Sequence, residues 1–287
     1  MQFGLIPDCQ FINDSHFDLY FNDSPMIPKI IHLCWLSGDK YPESIQRCLD
    51  SWKTHLPDYE IYLWDTHRFD VNSQPWTKEA FESKKYAFAA DYIRLYALYH
   101  HGGIYLDSDV LVYKSFDDLL DLPYFIGEDY TRCFEAAVIG AEKGCKWIKQ
   151  ILDRYDNRPF IMADGTYDTR TLPSVFHDQL TPTYKFNLMK SKDSFIDDEM
   201  VINVFPYDHF NSRDFVDIKQ FPNSYCSHNF VGSWLKKGNS ARSKVKDLLP
   251  RNILNLYDIL IYKVLGFGKF HQIKIPYMSR KAICNYK

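Results

Sequence analysis

The sequence predicts an α/β fold in which a mostly parallel sheet is flanked by helices. In the first 115 residues, short apolar runs that end at turn residues alternate with longer amphipathic segments. This alternation is typical of parallel sheets, because each helix carries the chain back to the start of the next strand. The length of 287 residues and the apolar content of 46% suffice for one such domain with a large core.

The predicted elements follow in chain order. Residues 1–25 are polar and aromatic, which predicts an irregular lead-in. The apolar run at residues 27–35 ends before a Ser-Gly turn and predicts a buried strand. Residues 42–57 predict a helix, because apolar side chains recur on one face and a proline ends the segment. The remaining predictions are strands at 60–64, 104–106, 124–127, 136–140 and 201–207, helices at 87–100 and 146–155, and a loop at 160–183, while residues 110–113 continue apolar after the strand at 104–106.

Cysteine usage and hydropathy exclude several classes of protein. The seven cysteines form an odd set without a C-x-x-C pair, which argues against a disulfide framework and favours a reducing compartment. No stretch approaches the roughly 18 uncharged apolar residues of a membrane-spanning helix. Residues 1–14 lack the basic and apolar regions of a secretory signal, so none is expected.

The charge is distributed unevenly along the chain. Residues 236–287 hold 12 of the 34 Lys/Arg but only 2 of the 37 Asp/Glu. The remaining 235 residues therefore hold 22 basic and 35 acidic groups, so that an acidic body of about -13 carries a basic tail of about +10. An acidic body is a poor general binder of nucleic acid.

The strongest candidate site is Gly-Gly-Ile-Tyr-Leu-Asp-Ser-Asp at residues 102–109. In an extended chain, Asp107 and Asp109 project from the same face. Two neighbouring carboxylates repel each other unless a cation such as Mg²⁺ or Mn²⁺ lies between them, and these ions usually also bind phosphates. The pair follows a strand, where ligands bind in open α/β sheets. The alternative is a solvated turn, since a bare D-x-D is common.

The preceding helix adds a second pair of charged residues. Asp91 and Arg94 are three positions apart and therefore lie on one side of the helix. An arginine here could bind a diphosphate through two hydrogen bonds, and the aspartate could accept hydrogen bonds from hydroxyls. The alternative is an intrahelical ion pair worth roughly 0.2–0.5 kcal/mol.

Together, these residues resemble the D-x-x-R…GG-x-Y-x-D-x-D block of DXD-containing sugar transferases. The nearest group is glycosyltransferase family thirty-two, which is related to the glucosylating domains of large clostridial toxins. Residues 28–38 (PKIIHLCWLSG) and 227–234 (SHNFVGSW) resemble the opening strand and the closing H-x-x-x-x-S-W of that family. The resemblance spans residues 26–235, is loose over 115–200, and does not cover the lead-in or the tail.

The resemblance implies a GT-A fold, which is a Rossmann-like domain that binds a nucleotide-sugar, over residues 26–239. It implies transfer of a hexose from a UDP- or GDP-linked donor to a glycan or lipid-linked acceptor, with retention of the anomeric configuration. Bacterial surface polysaccharide synthesis is the expected setting, and Mn²⁺ or Mg²⁺ is the expected cofactor.

The resemblance also implies a role for each matching residue. Asp109 would contact the metal directly, and Asp107 would hold the ribose or a metal-bound water. His228 would complete the metal site through a ring nitrogen and favour Mn²⁺, with a hydrogen-bonded structural histidine as the alternative. His32 is expected in the core or behind the site.

The donor would be held by residues on several segments. Asp91 and Arg94 would orient its diphosphate and sugar, and they complete a catalytic set with Asp107 and Asp109. The remaining donor-binding residues implied by the resemblance are Trp35, Tyr105, Ser233 and Trp234. Trp35 would stack on the nucleobase, for which the alternative is a core aromatic. Ser233 and Trp234 would close over the diphosphate.

Retention requires either a carboxylate nucleophile or attack by the acceptor on the face from which the leaving group departs. Glu128 and Asp129 are the carboxylates that follow the strand predicted at 124–127. The sequence does not choose between the two routes, and no nucleophile is assigned.

The basic extension at residues 240–287 includes an expected amphipathic helix at 248–265. Basic residues beside an apolar stripe are typical of a helix that lies on an anionic membrane. The alternative is a helix packed on the acidic body. The lipid-linked acceptor implied by the resemblance favours the membrane, so we expect a cytoplasmic protein held peripherally on the inner face of the cell membrane.

Two other functions fit parts of the sequence. A phosphatase or phosphotransferase of the haloacid-dehalogenase kind also uses D-x-D after a strand, and Asp197-Asp198 could mimic its later acidic pair. Leu111 stands where that motif normally has Thr or Val, and about 100 residues precede a motif that normally opens the domain. The second alternative is a non-catalytic, membrane-associated sugar-binding protein, against which the intact Asp91 and Arg94 argue.

Overall fold

The structure, a computed structural model, describes residues 26–129, 133–210 and 223–229. The predicted lead-in at 1–25, the extension at 240–287 and the implied donor-binding residues Ser233 and Trp234 lie outside these ranges. Within them, no helix is both long and apolar enough to cross a bilayer. The five cysteines of these ranges are free thiols.

The described residues form nine strands and six α-helices. The strands are β1 (Ile30–Cys34), β2 (Glu60–Trp64), β3 (Gly103–Leu106), β4 (Val110–Val112), β5 (Tyr124–Glu128), β6 (Phe134–Ala141), β7 (Lys185–Leu188), β8 (Val201–Val204) and β9 (Cys226–His228). The helices are α1 (Glu43–His55), α2 (Pro75–Glu82), α3 (Tyr86–His101), α4 (Lys146–Asp153), α5 (Leu172–Leu180) and α6 (Tyr207–Phe210). Every strand and helix predicted within the described ranges has a counterpart among them, while the helix expected at 248–265 lies outside these ranges.

The central sheet has five strands in the order β2-β1-β3-β6-β5. β1 pairs in parallel with β2 and β3, whereas β6 is antiparallel to both β3 and β5. Four strands therefore run in one direction, and β6 runs against them. The predicted α/β class with a mostly parallel sheet is confirmed.

Apolar side chains cover both faces of this sheet. Leu98 of α3 packs with Ile139 of β6 in one buried cluster. Trp52 of α1 packs with Ile104 of β3 in a second cluster on the other face. Because neighbouring residues of a strand point to opposite faces, Tyr105 lies on the α3 side while Ile104 faces α1.

The prediction of a loop over residues 160–183 is wrong, because α5 lies within it. α2 was likewise not predicted. Both helices carry a proline in their first turn, where the missing N–H costs no intrahelical hydrogen bond. A proline that indicates a break elsewhere in a chain therefore marks a helix start in these two segments.

α3 brings its first turns to the edge of the sheet where β3 ends. The helix stops at Gly102, whose N–H donates to the Leu98 carbonyl at 2.8 Å. The chain then reverses into β3, so helix and strand run in opposite directions. Asp91 and Arg94, in the first half of α3, therefore lie near the carboxyl end of β3 and the aspartates that follow it.

Candidate active site

The two aspartates of the D-x-D sequence are joined by a turn. The Asp107 N–H extends the pairing of β3 with β6 by donating to the Ala137 carbonyl at 2.9 Å. The Val110 N–H then donates back to the Asp107 carbonyl at 3.0 Å. The extended conformation assumed for this segment from the sequence is therefore wrong. The chain turns here because β4 leaves the central sheet to pair with β9.

The pairing of β4 with β9 brings His228 to the aspartates. His228 lies opposite Val110 in the antiparallel register, and the Asn229 N–H donates to the Asp109 carbonyl at 3.1 Å. The His228 Nε2 atom is 3.4 Å from the Asp109 carboxylate. One ligand atom from each of Asp107, Asp109 and His228 lies within 4.8 Å of the others.

This ligand set fits a divalent ion. Two carboxylates supply the oxygen ligands that Mg²⁺ and Mn²⁺ prefer, and the imidazole of His228 adds one nitrogen, which favours Mn²⁺. The side chain of Asp107 is 26% exposed and that of Asp109 is 13% exposed. The group is therefore partly sheltered from water but open on the side of Asp107.

Glu135 holds the other nitrogen of His228. The His228 Nδ1 atom lies 3.2 Å from the Glu135 Oε1 atom, which also accepts from the Ala137 N–H at 3.0 Å. Burial alone would lower the pKa of His228, but the charges of Glu135 and Asp109 raise the pKa well above its ordinary value. Sequence reasoning missed Glu135. The available signal was a single charged residue within the apolar run of β6.

Arg94 is the buried cation of the site. Its guanidinium lies 3.1 Å from the Asp91 carboxylate and 3.3 Å from that of Asp107, and it donates to the Ala136 carbonyl at 2.7 Å. The guanidinium also stacks 4.5 Å from the centre of the Tyr105 ring. Its Nε atom is buried with no hydrogen-bond acceptor among the described residues.

The pair formed by Asp91 and Arg94 is more than an exposed intrahelical ion pair. Their side chains are 12% and 6% exposed, and the same guanidinium reaches Asp107 beyond the helix. Burial raises the pKa of Asp91 to about 7, with Asp107 adding to the shift and Arg94 opposing it. A pKa near 7 means that the Asp91 carboxyl group gains or loses its proton near neutral pH while it contacts the permanently charged Arg94 guanidinium.

Tyr105 and Trp35 occupy different environments. Tyr105 is buried and its hydroxyl donates to the Asp107 carboxylate at 2.8 Å, which fixes that side chain. Trp35 follows β1 and is half-buried. Its indole N–H donates to the Asp39 carbonyl at 2.9 Å, and its ring packs 4.8 Å from that of Tyr41. Trp35 is thus neither a fully enclosed core residue nor a free surface ring.

His32 is a core residue. Its Nε2 atom lies 2.7 Å from the Gly102 carbonyl, and its Nδ1 atom accepts from the Trp64 indole at 3.0 Å. Burial lowers the pKa of His32 to about 4, so the ring is neutral and carries its proton on Nε2. This agrees with the expected position in the core or behind the site.

The other carboxylates considered from the sequence have local structural contacts. Glu128 is buried at the end of β5, and its backbone N–H donates to the Phe205 carbonyl at 2.9 Å. The Asp129 carboxylate accepts from the Cys133 N–H at 3.0 Å. Asp197 and Asp198 are exposed before β8, and Asp198 accepts from the Met200 N–H at 2.8 Å. This turn gives no support to a phosphatase.

The family model and the relatives that the chain resembles all concern the transfer of sugars. Residues 42–126 match the family described as the glycosyltransferase sugar-binding region containing the DXD motif. The chain is 33% identical over 142 residues to inositol phosphoceramide mannosyltransferase 3 of Schizosaccharomyces pombe, which is 47% of this chain and 39% of that protein. It is 38% identical over 108 residues to mannosyl phosphorylinositol ceramide synthase SUR1 of Saccharomyces cerevisiae, covering 35% and 27%.

The similarity to solved structures is weaker. The PaToxG glycosyltransferase overlays with a TM-score of 0.41 and 21% identity, over 54% of this chain and 68% of that one. The chain spans about a quarter to two-fifths of the length of the two curated relatives. The resemblance to DXD-containing sugar transferases is confirmed by the family match, whereas family thirty-two and the link to clostridial toxins stay predictions.

Proposed function

We propose that this chain, which contains a DXD glycosyltransferase sugar-binding region, is a metal-dependent glycosyltransferase with a GT-A fold. It moves a hexose from a nucleotide-sugar to an acceptor. The observation that carries the proposal is the convergence of Asp107, Asp109 and His228 from two distant segments, within 4.8 Å of one another. The cation Arg94 lies beside them, in ion-pair contact with Asp107.

The proposed chemistry follows from the charges of these groups. When the sugar leaves, negative charge develops on the nucleoside diphosphate and positive charge develops on the anomeric carbon. A bound Mn²⁺ or Mg²⁺ would supply positive charge beside the leaving diphosphate. Asp109 and His228 would hold that ion, and the Tyr105 hydroxyl fixes the neighbouring Asp107 carboxylate by donating to it at 2.8 Å.

Arg94 and Asp91 act on the donor from the helix side. The buried Arg94 guanidinium is held by two carboxylates and a carbonyl, so it needs little reorganisation to stabilise charge on the diphosphate. Asp91 accepts hydrogen bonds from sugar hydroxyls. Trp35 stacks on the nucleobase with the ring face that Tyr41 does not cover, and Ser233 and Trp234 close over the diphosphate.

The acceptor we propose is a lipid that carries a phosphate group. The names of the two yeast relatives concern mannosyl transfer and phosphorylinositol ceramide. This makes a mannose donor and a sphingolipid-type acceptor the first pair to test, with a glycan of bacterial surface polysaccharide as the second. Both acceptors suit a protein on the cytoplasmic face of a membrane, held there partly by residues 240–287. The retaining outcome stays a prediction, and both routes to it stay open.

A thermal-shift panel tests the proposed function. Wild-type protein is heated with GDP, UDP and their hexose conjugates, each with and without Mn²⁺. We expect one nucleotide series to raise the melting temperature only when Mn²⁺ is present, because a ligand that binds the folded state stabilises it by mass action. The absence of any shift with every nucleotide and metal would contradict the proposal.

A variant of the metal site gives the matched test. Asp109→Asn keeps the size of the side chain but removes the charge. We expect it to abolish the Mn²⁺-dependent shift and to lower turnover by at least about a hundredfold, which is typical for loss of transition-state charge stabilisation. Asp58→Asn, at an exposed position after α1, is the control. Full activity of Asp109→Asn would show that the ion binds elsewhere.

A further inference from the structure

A β-hairpin at residues 160–168 exposes a concentrated set of apolar side chains. Ile161 pairs with Tyr167 across the hairpin, and the Met162 N–H donates to the Thr166 carbonyl at 2.7 Å. Ile161, Met162 and Tyr167 are 38%, 43% and 41% exposed. They are three of the six large apolar side chains that are exposed in the described residues. Single exposed apolar residues are ordinary, but a cluster on one projecting hairpin indicates a binding surface.

Three arginines surround the base of this hairpin. Asp168 accepts from Arg158 at 2.6 Å and from two nitrogens of Arg170 at 3.0 and 2.8 Å. Arg154 is half-buried beside them, and no carboxylate of the described residues pairs with it. Burial and the charges of Arg170 and Arg158 lower the pKa of Arg154. The Nε atom of Arg158 is buried without an acceptor among these residues.

Several negative groups near the hairpin contact other residues, while Asp156 is exposed two positions along the chain from Arg154. The Asp164 carboxylate accepts from the backbone N–H and the hydroxyl of Thr166, which closes the turn of the hairpin. Glu79 accepts from the backbone N–H groups of Phe160 and Ile161. Asp178 acts on Arg170 only through its charge. Arg154 therefore stays available for an external anion.

The hairpin packs against the first turn of α3, the helix that carries Asp91 and Arg94. The ring of Phe160 packs 5.1 Å from Trp76 and 5.3 Å from Phe88, which belongs to the first turn of α3. The buried Tyr155 belongs to the same aromatic cluster, with its ring 4.9 Å from that of Trp76 and 6.1 Å from that of Tyr92 in α3.

From this arrangement we infer that the hairpin and Arg154 bind an anionic membrane lipid, whose headgroup phosphodiester has no compensating cation, such as phosphatidylinositol. Arginine binds phosphate oxygens through paired hydrogen bonds. Apolar side chains beside it enter the boundary between headgroups and acyl chains. The inference rests on the proposed function and deepens it, because a lipid bound here would lie beside α3, the helix that carries Asp91 and Arg94.

Vesicle titration of the full chain tests the inference without nucleotide or metal. The vesicles contain phosphatidylcholine, either alone or with roughly 30 mol% phosphatidylinositol. The second composition gives the vesicle surface a negative charge. Met162→Gln is expected to weaken partitioning into both vesicles by about fivefold, because it removes apolar insertion. Arg154→Gln is expected to weaken it by about fivefold on phosphatidylinositol vesicles only, the effect of one basic residue at such a surface.

Two exposed residues in other parts of the chain supply matched controls. Met200→Gln changes a methionine that is 50% exposed before β8, and Lys190→Gln removes an exposed cation after β7. Partitioning of Met162→Gln and Arg154→Gln equal to that of these controls would overturn the inference.

Hydrogen exchange on the wild-type protein tests lipid binding by the hairpin without any variant, so the result does not depend on whether a variant folds. The amides of residues 161–167 are expected to exchange more slowly on phosphatidylinositol vesicles, and unchanged exchange would overturn the inference. Failure of the nucleotide panel with intact vesicle binding would instead contradict the transferase, so the two failures are distinguishable.

Discussion

Arg94 shows how a single residue can organise a site. Its charge is balanced by Asp91 on its own helix and by Asp107 after β3. A buried cation with two carboxylate partners is strongly held, because loss of the cation would leave two neighbouring carboxylates in a low-dielectric interior without a counter-charge. The network therefore fixes the distance between α3 and the D-x-D turn. It also makes the protonation state of Asp91 a measurable property of the fold.

The pKa of Asp91, raised from 3.8 to about 7 mainly by burial, predicts a specific pH dependence. The folded chain holds this proton more tightly than the unfolded chain. The resulting stability is fully present below about pH 4 and is lost as the pH rises through 7. Urea unfolding should therefore show wild type losing up to about 4 kcal/mol relative to Asp91→Asn between pH 4 and pH 8. A pH-independent difference between the two would contradict this assignment.

The contact between Glu135 and His228 predicts an effect on metal affinity. Glu135→Gln removes the charge that holds the Nδ1 proton, so the Nε2 atom is less firmly directed toward Asp109. Loss of such a partner typically weakens metal binding by about 10–100-fold. We expect a loss of this size in the Mn²⁺ affinity of Glu135→Gln, determined by titration calorimetry. Glu142→Gln, at a half-buried position just after β6, is the control. Equal affinities in the two variants would show that Glu135 has no positioning role.

At the level of elements, the site depends on how β3 meets its neighbours. β3 is only four residues long and fully buried, and it pairs with β1 on one side and β6 on the other. Gly103 opens the strand with φ of +109°, and a Cβ atom there would lie 2.6 Å from the Ile30 carbonyl oxygen. The close approach of β1 to β3 therefore requires glycine at this position.

Gly103→Ala is expected to destabilise the fold more than a comparable glycine variant. Gly144 also has positive φ, at +83°, but a Cβ atom there would meet nothing within 4 Å. Gly144→Ala should cost only the conformational strain of about 1–2 kcal/mol. Gly103→Ala should cost at least about 1–3 kcal/mol more, because the backbone of β1 must move. Urea unfolding gives the free energy of unfolding of both variants. Equal losses of this free energy would mean that β1 can move away from residue 103 without destabilising the fold.

At the scale of the whole molecule, the fold class and most of the elements were predictable, because apolar residues recur with different spacing in strands and in helices. The sheet order, the antiparallel direction of β6 and the separate pairing of β4 with β9 were not predictable. These depend on contacts between segments far apart in sequence. The D-x-D turn illustrates the limit, since alternation within one strand gave the right aspartates but the wrong backbone conformation.

Of the site residues, Asp91, Arg94, Asp107, Asp109 and His228 were identified from motifs. The structure brings Asp107, Asp109 and His228 together and places Arg94 beside Asp107 and Asp91, while the roles of all five stay proposals. Glu135 carries no motif, because its importance comes from the partner that β9 brings to it. The hairpin at residues 160–168 was hidden within a segment whose composition indicates only a loop. Residues that act through distant partners are therefore the ones that sequence patterns miss.

Removal of residues 240–287 tests the expected membrane attachment. We expect most of the protein to move from the membrane to the soluble fraction, because stable attachment needs two signals and the deletion removes one. Replacement of Lys263, Lys269 and Lys274 by Gln in the full chain should give an intermediate result, since only charge is lost. An unchanged distribution after the deletion would contradict the prediction.

The pairing of β4 with β9 has a consequence for how the protein is made. Asp109 and His228 are separated by more than a hundred residues, and most of the central sheet is synthesised before the histidine leaves the ribosome. An ion bound by both residues would cross-link the chain across the whole segment between them. Such a cross-link lowers the entropy of the unfolded chain more when the segment is longer. The proposed metal site is therefore complete only after β9 has been synthesised, and the proposed sugar transfer cannot begin before then.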